Sequence, residues 1–221
     1  MGETVMRGVV SQDAYVGVAE QGYPAVRMNP RGELIVPDWM TQLALDGRVF
    51  NISNVTIETV ALGSTSFVDT DPFLLIDVPS GTTIIPLEVS LFQGGTVAGG
   101  IITVIITTDD GLRFSSGGTL ITSINMRKDD PIASSVSAYV GDATAIVAAA
   151  NVDADTLYVV RFQEDVTSPT TTEMCFWSAR THIPPVLIGP ASLLVHAFAA
   201  TTAPGLFWSV KWAEFATSVI T

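Results

Sequence analysis

The side chains that could carry out chemistry in this chain are two histidines, one cysteine and several closely spaced aspartates. His182 and His196 lie far apart in the sequence, and Cys175 is the only cysteine. A structural zinc site takes four Cys or His ligands at short spacings, so this pattern gives none. The serine hydrolase elbow G-x-S-x-G is also missing. We therefore expect a non-enzymatic protein without a cofactor, and a Ser, His, Asp triad assembled from distant strands stays open as the enzymatic alternative.

Two pairs of aspartates have the spacing of candidate calcium ligands, namely Asp69 with Asp71 and Asp153 with Asp155. Carboxylate oxygens two residues apart on a loop suit Ca²⁺. Neither pair fits the D-x-[DN]-x-[DN]-G loop, and aspartate is also favoured wherever a chain reverses. A calcium site and a turn role for these four residues both remain open.

The composition excludes one class of partner. The 221 residues are 48% hydrophobic and only 14% charged, with a net charge of −12. Clustered Lys and Arg are needed to neutralise phosphates, so direct binding of nucleic acid is not expected. An average soluble domain carries about 25% charged residues. The low value predicts that part of the surface is hidden in contacts with other chains.

Membrane insertion is not expected either. The longest apolar stretch, 184–200, contains Pro190 and His196 and is shorter than the roughly 20 apolar residues of a spanning helix. The first residues lack the basic and apolar regions of a secretory signal.

Most of the chain reads as β-strands separated by Gly, Pro and Asp turns. Trp208, Val210 and Trp212 alternate with polar or small residues, as on a strand with one buried face. Pro86 predicts a bulge or an edge in its strand, and the Asp109-Asp-Gly111 segment predicts a hairpin turn. The strand-like runs are 48–62, 82–93, 98–108, 155–165 and 207–215. Their number and spacing predict an all-β, antiparallel β-sandwich over residues 48–221.

Residues 1–47 differ, because their extended pieces are short and separated by Gly and Pro. Asp38 can cap a short helix over 39–46, which Gly47 ends. We expect an extended N-terminal arm that packs on its own domain or on a neighbouring subunit. The residues predicted to contact other subunits are three aromatics of the arm and four glycines of a flexible hairpin tip: Tyr15, Tyr23, Trp39, Gly94, Gly95, Gly99 and Gly100.

The segment 71–91 resembles the corner-turning strands of viral jelly-roll structural proteins. It contains a strand, the corner Val78-Pro-Ser-Gly81, and a second strand that begins Thr82-Thr-Ile-Ile-Pro86. The long extended N-terminal segment and the Trp-rich last strand are similar to that group as well. The acidic arm departs from the basic arms that contact a packaged genome.

The resemblance implies a jelly-roll fold and a structural role in a virion. We expect a self-associating subunit of a capsid shell, or a decoration or cementing subunit, that forms a homotrimer and contacts other virion proteins. The alternative is a carbohydrate-binding or adhesin-like module for host recognition, and its binding can be calcium-dependent or independent of calcium. In that case an exposed aromatic such as Tyr139 or Tyr158 would stack on a sugar.

Overall fold

A computed structural model of the chain describes residues 38–54, 59–94, 101–129, 132–141, 144–150, 155–163 and 173–219. The chain divides into two compact units, residues 1–42 and 43–221. The predicted short helix is present as α1 (Trp39–Leu45). The backbone N–H of Thr41 donates to the Asp38 carboxylate at 3.4 Å, as expected of the cap. Gly47, with a φ of 70°, turns the chain out of the helix.

The second unit is built from antiparallel strands, as predicted. In chain order the described strands are β1 (Val49–Ser53), β2 (Ala61–Leu62), β3 (Leu74–Val78), β4 (Thr82–Gln93), β5 (Ile101–Asp109), β6 (Phe114–Gly117), β7 (Thr119–Ile121), β8 (Ile124–Asn125), β9 (Ser137–Val140), β10 (Ile146–Ala148), β11 (Asp155–Gln163), β12 (Glu173–Ser178), β13 (Leu187–Ile188), β14 (Ala191–Ala199) and β15 (Gly205–Ala216). A single 3₁₀ turn, Thr217–Val219, follows the last strand.

These strands form two large sheets and one small ribbon. The first sheet has the order β12-β4-β15-β1-β8, with β13 also beside β4 and β2 also beside β15. The second sheet has the order β11-β5-β14-β3-β9-β7, and β6 pairs with β10 in the ribbon. The described strands of the second unit therefore form an all-β sandwich.

The eight principal strands are paired in a nested way. The first pairs with the last, β1 with β15, and the second with the second last, β3 with β14. The third pairs with the sixth, β4 with β12, and the middle two pair with each other, β5 with β11. This is the strand order of a jelly roll, in which one long hairpin is wound into two facing sheets.

The core lies between the inner faces of the two sheets. Trp177, Trp208 and Trp212 are buried there beside aliphatic side chains of β3, β5 and β14. Each of the three indole rings removes a large apolar area from water, which stabilises the packing of one sheet on the other. The alternation predicted for the last strand is confirmed, since Trp208, Val210 and Trp212 are all buried.

Pro86 lies in a central strand at a gap in the pairing. On one side of β4, β12 pairs with Glu88 to Phe92 and β13 pairs with Thr83 and Ile84. On the other side the register with β15 shifts beside Pro86, between Lys211 and Trp212. The predicted bulge is confirmed. A residue without an N–H is accommodated where the ladder is already interrupted.

Candidate functional site

The turn after β5 is fixed by a buried arginine, which the sequence analysis did not single out. Only 3% of the Arg113 side chain is exposed. Its guanidinium donates from Nη1 to Asp109 at 2.8 Å and from Nη2 to Asp69 at 2.9 Å. Its Nε donates to the backbone carbonyl of Ala149 at 2.6 Å. Two carboxylates and a carbonyl therefore compensate the cost of removing this charge from water.

A second buried carboxylate holds the same turn against the sheet. Asp77 of β3 accepts hydrogen bonds from the backbone N–H groups of Arg113 and Phe114, both at 3.0 Å. It also accepts from the hydroxyl of Ser192 on β14 at 2.6 Å. The backbone N–H groups at the end of the turn are thus satisfied by side chains of two neighbouring strands, as is required of buried donors.

His196 lies on the same outer face of β14 as Ser192 and is also buried. Only 2% of its surface is exposed, and neither ring nitrogen has a hydrogen-bond partner in the part of the chain that the structure describes. Burial lowers the pKa of His196 to about 4; the nearby Asp69 carboxylate raises it, and the Arg113 guanidinium lowers it. The imidazole is therefore neutral at pH 7.

Ser192, Asp77 and His196 do not form the arrangement of a hydrolase. Ser192 is bonded directly to Asp77, and its hydroxyl has no bond to the imidazole. A nucleophile of this class needs a hydrogen bond to its general base. Within the described residues, these three side chains act as packing and turn-fixing groups.

The structure describes three of the four candidate calcium ligands, and two of these three have other partners. Asp69 is bound to Arg113, and Asp71 accepts a hydrogen bond from Ser64 at 3.1 Å. Asp155 begins β11 and lines a cavity with Asp109 and Asp110. Asp153 lies outside the described residues. Over the described ranges, no three His, Cys, Asp or Glu side chains come together as a metal site would need.

Most of the predicted subunit-contact residues, namely Tyr15, Tyr23, Gly95, Gly99 and Gly100, lie outside the described residues. Trp39 is 45% exposed on α1. Gly94 lies where a Cβ atom would be 2.3 Å from Val60 and 2.6 Å from Phe207. Its lack of a side chain thus has a packing reason, and its part in a subunit contact stays a prediction.

The two tyrosines considered for sugar stacking lie elsewhere in the packing. Tyr139 stacks flat on Phe114, with ring centroids 3.6 Å apart. Tyr158 packs against the core and meets His182 edge-on at 5.4 Å. Both rings are engaged by other side chains of the domain.

The most exposed large apolar side chain of the described residues lies in the connection between β12 and β13. Ile183 is 92% exposed, and Val186 and Ile188, on either side of Leu187, are each about half exposed. Pro184 and Pro185 stiffen the segment between Ile183 and Val186. We call residues 183–188, which comprise the end of this connection and β13, the apolar loop. Exposed apolar side chains grouped in this way are typical of interaction surfaces.

Comparisons with protein-family models, with curated proteins and with solved structures gave no match. Neither helix of the described residues is long and apolar enough to cross a membrane.

Proposed function

We propose that this protein is a non-enzymatic structural subunit of a virion, which self-associates as a trimer in a capsid shell or on its surface. Its contribution would be geometric. Each copy supplies a rigid double sheet, and contacts between copies accumulate over the assembly. Other virion proteins would be its further partners.

The strand order carries this proposal. The jelly roll is used by viral capsid subunits, and it is used by lectins and cupins as well. A fold of this kind supports a class of function by analogy and does not by itself select one. The resemblance of segment 71–91 to viral jelly-roll proteins favours the capsid role among these.

The surface chemistry also supports self-association. Only 14% of the residues are charged, so wide areas of the sandwich carry little charge. The apolar loop adds a place where a partner could bury Ile183, Val186 and Ile188. Its occupant, in this proposal, is a second copy of the chain, because most soluble oligomers are built from repeated contacts between identical subunits.

The first experiment is size-exclusion chromatography with light scattering on the purified full chain. We expect the mass of three subunits or of a larger closed assembly. Removal of residues 1–30 should lower the association, since the arm is proposed to cross between subunits. A monomer at every concentration would contradict the proposal.

Substitutions test the apolar loop directly. Ile183→Asp and Val186→Asp should weaken association, because each places a charge in the proposed contact. Leu120→Asp is the matched control, since Leu120 is an exposed apolar side chain on β7, at the edge of the other sheet. If the mass of the assembly is the same in Ile183→Asp, in Leu120→Asp and in the parent protein, the apolar loop is not the contact between subunits.

A further inference from the structure

A cavity on the outer face of the second sheet has the features of a small-ligand site. Its volume is about 350 Å³, which is at the lower end of the range of about 300–1,000 Å³ for small-molecule sites. The side chains that matter for recognition are two aromatic rings, three hydroxyls and one guanidinium: Phe67, Phe198, Thr65, Ser66, Thr103 and Arg161.

The floor of the cavity is a row of side chains across three adjacent strands. Arg161 of β11 is paired with Thr103 of β5, and Thr103 is paired with Phe198 of β14. Directly paired residues share a face of the sheet. Two strand spacings separate Arg161 from Phe198, which is roughly 10 Å between their backbones. One end of the row is thus cationic and the other aromatic.

The connection between β2 and β3 forms the wall beside Phe198. β3 is paired with β14 as far as Val195, and Ser64 lies beside β14 further along that strand. The N–H of Ser64 donates to Ala197 at 2.9 Å, and its carbonyl accepts from Ala199 at 3.1 Å. Phe67 then lies over the sheet, with its ring 6.0 Å from that of Phe198. The two rings are inclined by 55° and line the same cavity.

Two features of this wall are unusual for a purely structural surface. Phe67 is 47% exposed although it is a large aromatic side chain. Its ring also lies 5.0 Å from that of His196, the buried imidazole whose nitrogens have no partner among the described residues. A buried polar group without a hydrogen bond is rare in folded proteins.

Arg161 supplies the charge specificity. It is exposed and forms no ion pair with any described residue, whereas Arg113, Arg127 and Lys211 each have a carboxylate partner. The chain carries a net charge of −12, so an exposed guanidinium beside this cavity is a local positive charge in a negative general field. A guanidinium binds a carboxylate through two parallel hydrogen bonds.

We infer that this cavity binds an acidic saccharide, that is, a sugar ring bearing a carboxylate. The apolar face of the ring packs on Phe67 and Phe198, the hydroxyls of Thr65, Ser66 and Thr103 hydrogen-bond to the sugar hydroxyls, and Arg161 binds the carboxylate. This ligand-binding role goes beyond self-association and does not depend on it. It gives the protein a site for a glycan in addition to its contacts with other subunits.

Isothermal titration of the full chain with D-glucuronate, D-glucose and acetate tests the inference. Glucuronate carries both recognised groups, whereas glucose lacks the carboxylate and acetate lacks the ring. We expect glucuronate to bind about tenfold or more tightly than either, because a charge-assisted bond and ring packing each add to affinity. Equal affinity for glucose, equal affinity for acetate, or no saturable binding of glucuronate would each overturn it.

Variants locate the binding site. Arg161→Gln should remove the preference for glucuronate over glucose, and Phe67→Ala should weaken the binding of glucuronate. Arg180→Gln is the charge-matched control, since Arg180 is an exposed arginine in the turn after β12. An unchanged preference in Arg161→Gln, or an equal loss in Arg180→Gln, would overturn the assignment. Because the titration reads ligand binding and light scattering reads mass, failure of either proposal is seen separately.

Discussion

Arg113 and Asp109 are bound to each other at 2.8 Å, and both side chains are almost wholly removed from solvent. Asp69, on the connection between β2 and β3, binds the other guanidinium nitrogen. One buried cation therefore joins the end of β5 to the connection that carries Phe67. The same connection forms the aromatic wall of the proposed saccharide site.

Replacing Arg113 should lower the stability of the fold. In Arg113→Met the carboxylate of Asp109 stays buried without its partner, which typically costs about 3–5 kcal/mol. We expect a loss of that order in the free energy of unfolding, measured by urea denaturation at pH 7.

The matched control is Arg127→Met. Arg127 binds Asp129 at 2.9 Å, but both side chains are exposed. Surface pairs of this kind contribute about 0–1 kcal/mol. Similar losses of stability in the two variants would show that burial of the Arg113 pair has no special effect.

His196 makes the stability of the protein depend on pH. Its pKa is about 4 in the folded protein because burial disfavours the charged ring, whereas the ordinary pKa of histidine is 6.5. Above pH 6.5 the ring is neutral in both states. As the pH falls from 6.5 towards 4, the unfolded chain takes up a proton that the folded chain does not, so unfolding becomes more favourable. The loss would reach on the order of 3 kcal/mol near pH 4.

His196→Leu should remove this contribution. We expect the gain in stability of the variant over the parent protein to grow as the pH falls from 7 to 4.5, measured by thermal unfolding in matched buffers. Comparing the two proteins at each pH cancels the contribution of the carboxylates, because both proteins contain them. Asp69 is the exception, since its charge acts on His196. A constant difference between His196→Leu and the parent across this range would contradict the prediction.

The core between the sheets allows a simpler test. Trp212 is fully buried and stacks on Phe50, with ring centroids 6.2 Å apart. Trp212→Ala should lower the free energy of unfolding by about 3–5 kcal/mol, because it removes buried contacts and leaves a cavity. Leu120→Ala, at an exposed position on β7, should change it by less than about 0.5 kcal/mol. Chemical denaturation of both variants measures the difference, and a loss below 1 kcal/mol for Trp212→Ala would be inconsistent with this packing.

Local pattern was enough to predict the fold class and several strands. The run 82–93 is β4 with the predicted bounds, and the alternation around Trp208 and Trp212 gives the buried face of β15. The hairpin predicted at Asp109-Asp-Gly111 is wrong. After this turn the chain leaves the sheet, so that β6 pairs with β10, while β5 pairs with β14 and β11. A turn signal marks where a chain changes direction, but the partner of the next strand is set by distant contacts such as that of Arg113 with Asp77.

The candidate sites depend even more than the fold on the pairing of strands that are distant in the sequence. Arg161, Thr103 and Phe198 form one row only because β11, β5 and β14 are aligned in a particular register. No spacing along the sequence contains that register. The buried network around Arg113 was missed for the same reason, although an Arg four residues after Asp109 was visible in the sequence. An isolated arginine in an acidic, sparsely charged chain is the signal that could have directed attention to both sites.

Gly63 allows the connection between β2 and β3, which forms the wall of the cavity, to lie close to β14. A Cβ atom at this position would lie 2.3 Å from the carbonyl oxygen of Ala197, a backbone atom that is itself held in the sheet. The N–H of Gly63 donates to Pro204 at 2.8 Å, and that of Ser64 donates to Ala197 at 2.9 Å. The wall can therefore occupy this position only if residue 63 has no side chain.

Gly63→Ala should displace the wall and uncover His196. We expect a loss of about 1–3 kcal/mol in the free energy of unfolding from the overpacked contact. We also expect the pKa of His196 to rise from about 4 towards 6.5, because Phe67 no longer shields the imidazole from water. Titration of the His196 ring signals by NMR measures this rise. Gly111→Ala is the control: its nearest atom would be 3.9 Å away, so neither quantity should change. If Gly63→Ala leaves the pKa of His196 near 4, then Phe67 is not the group that keeps water from the imidazole.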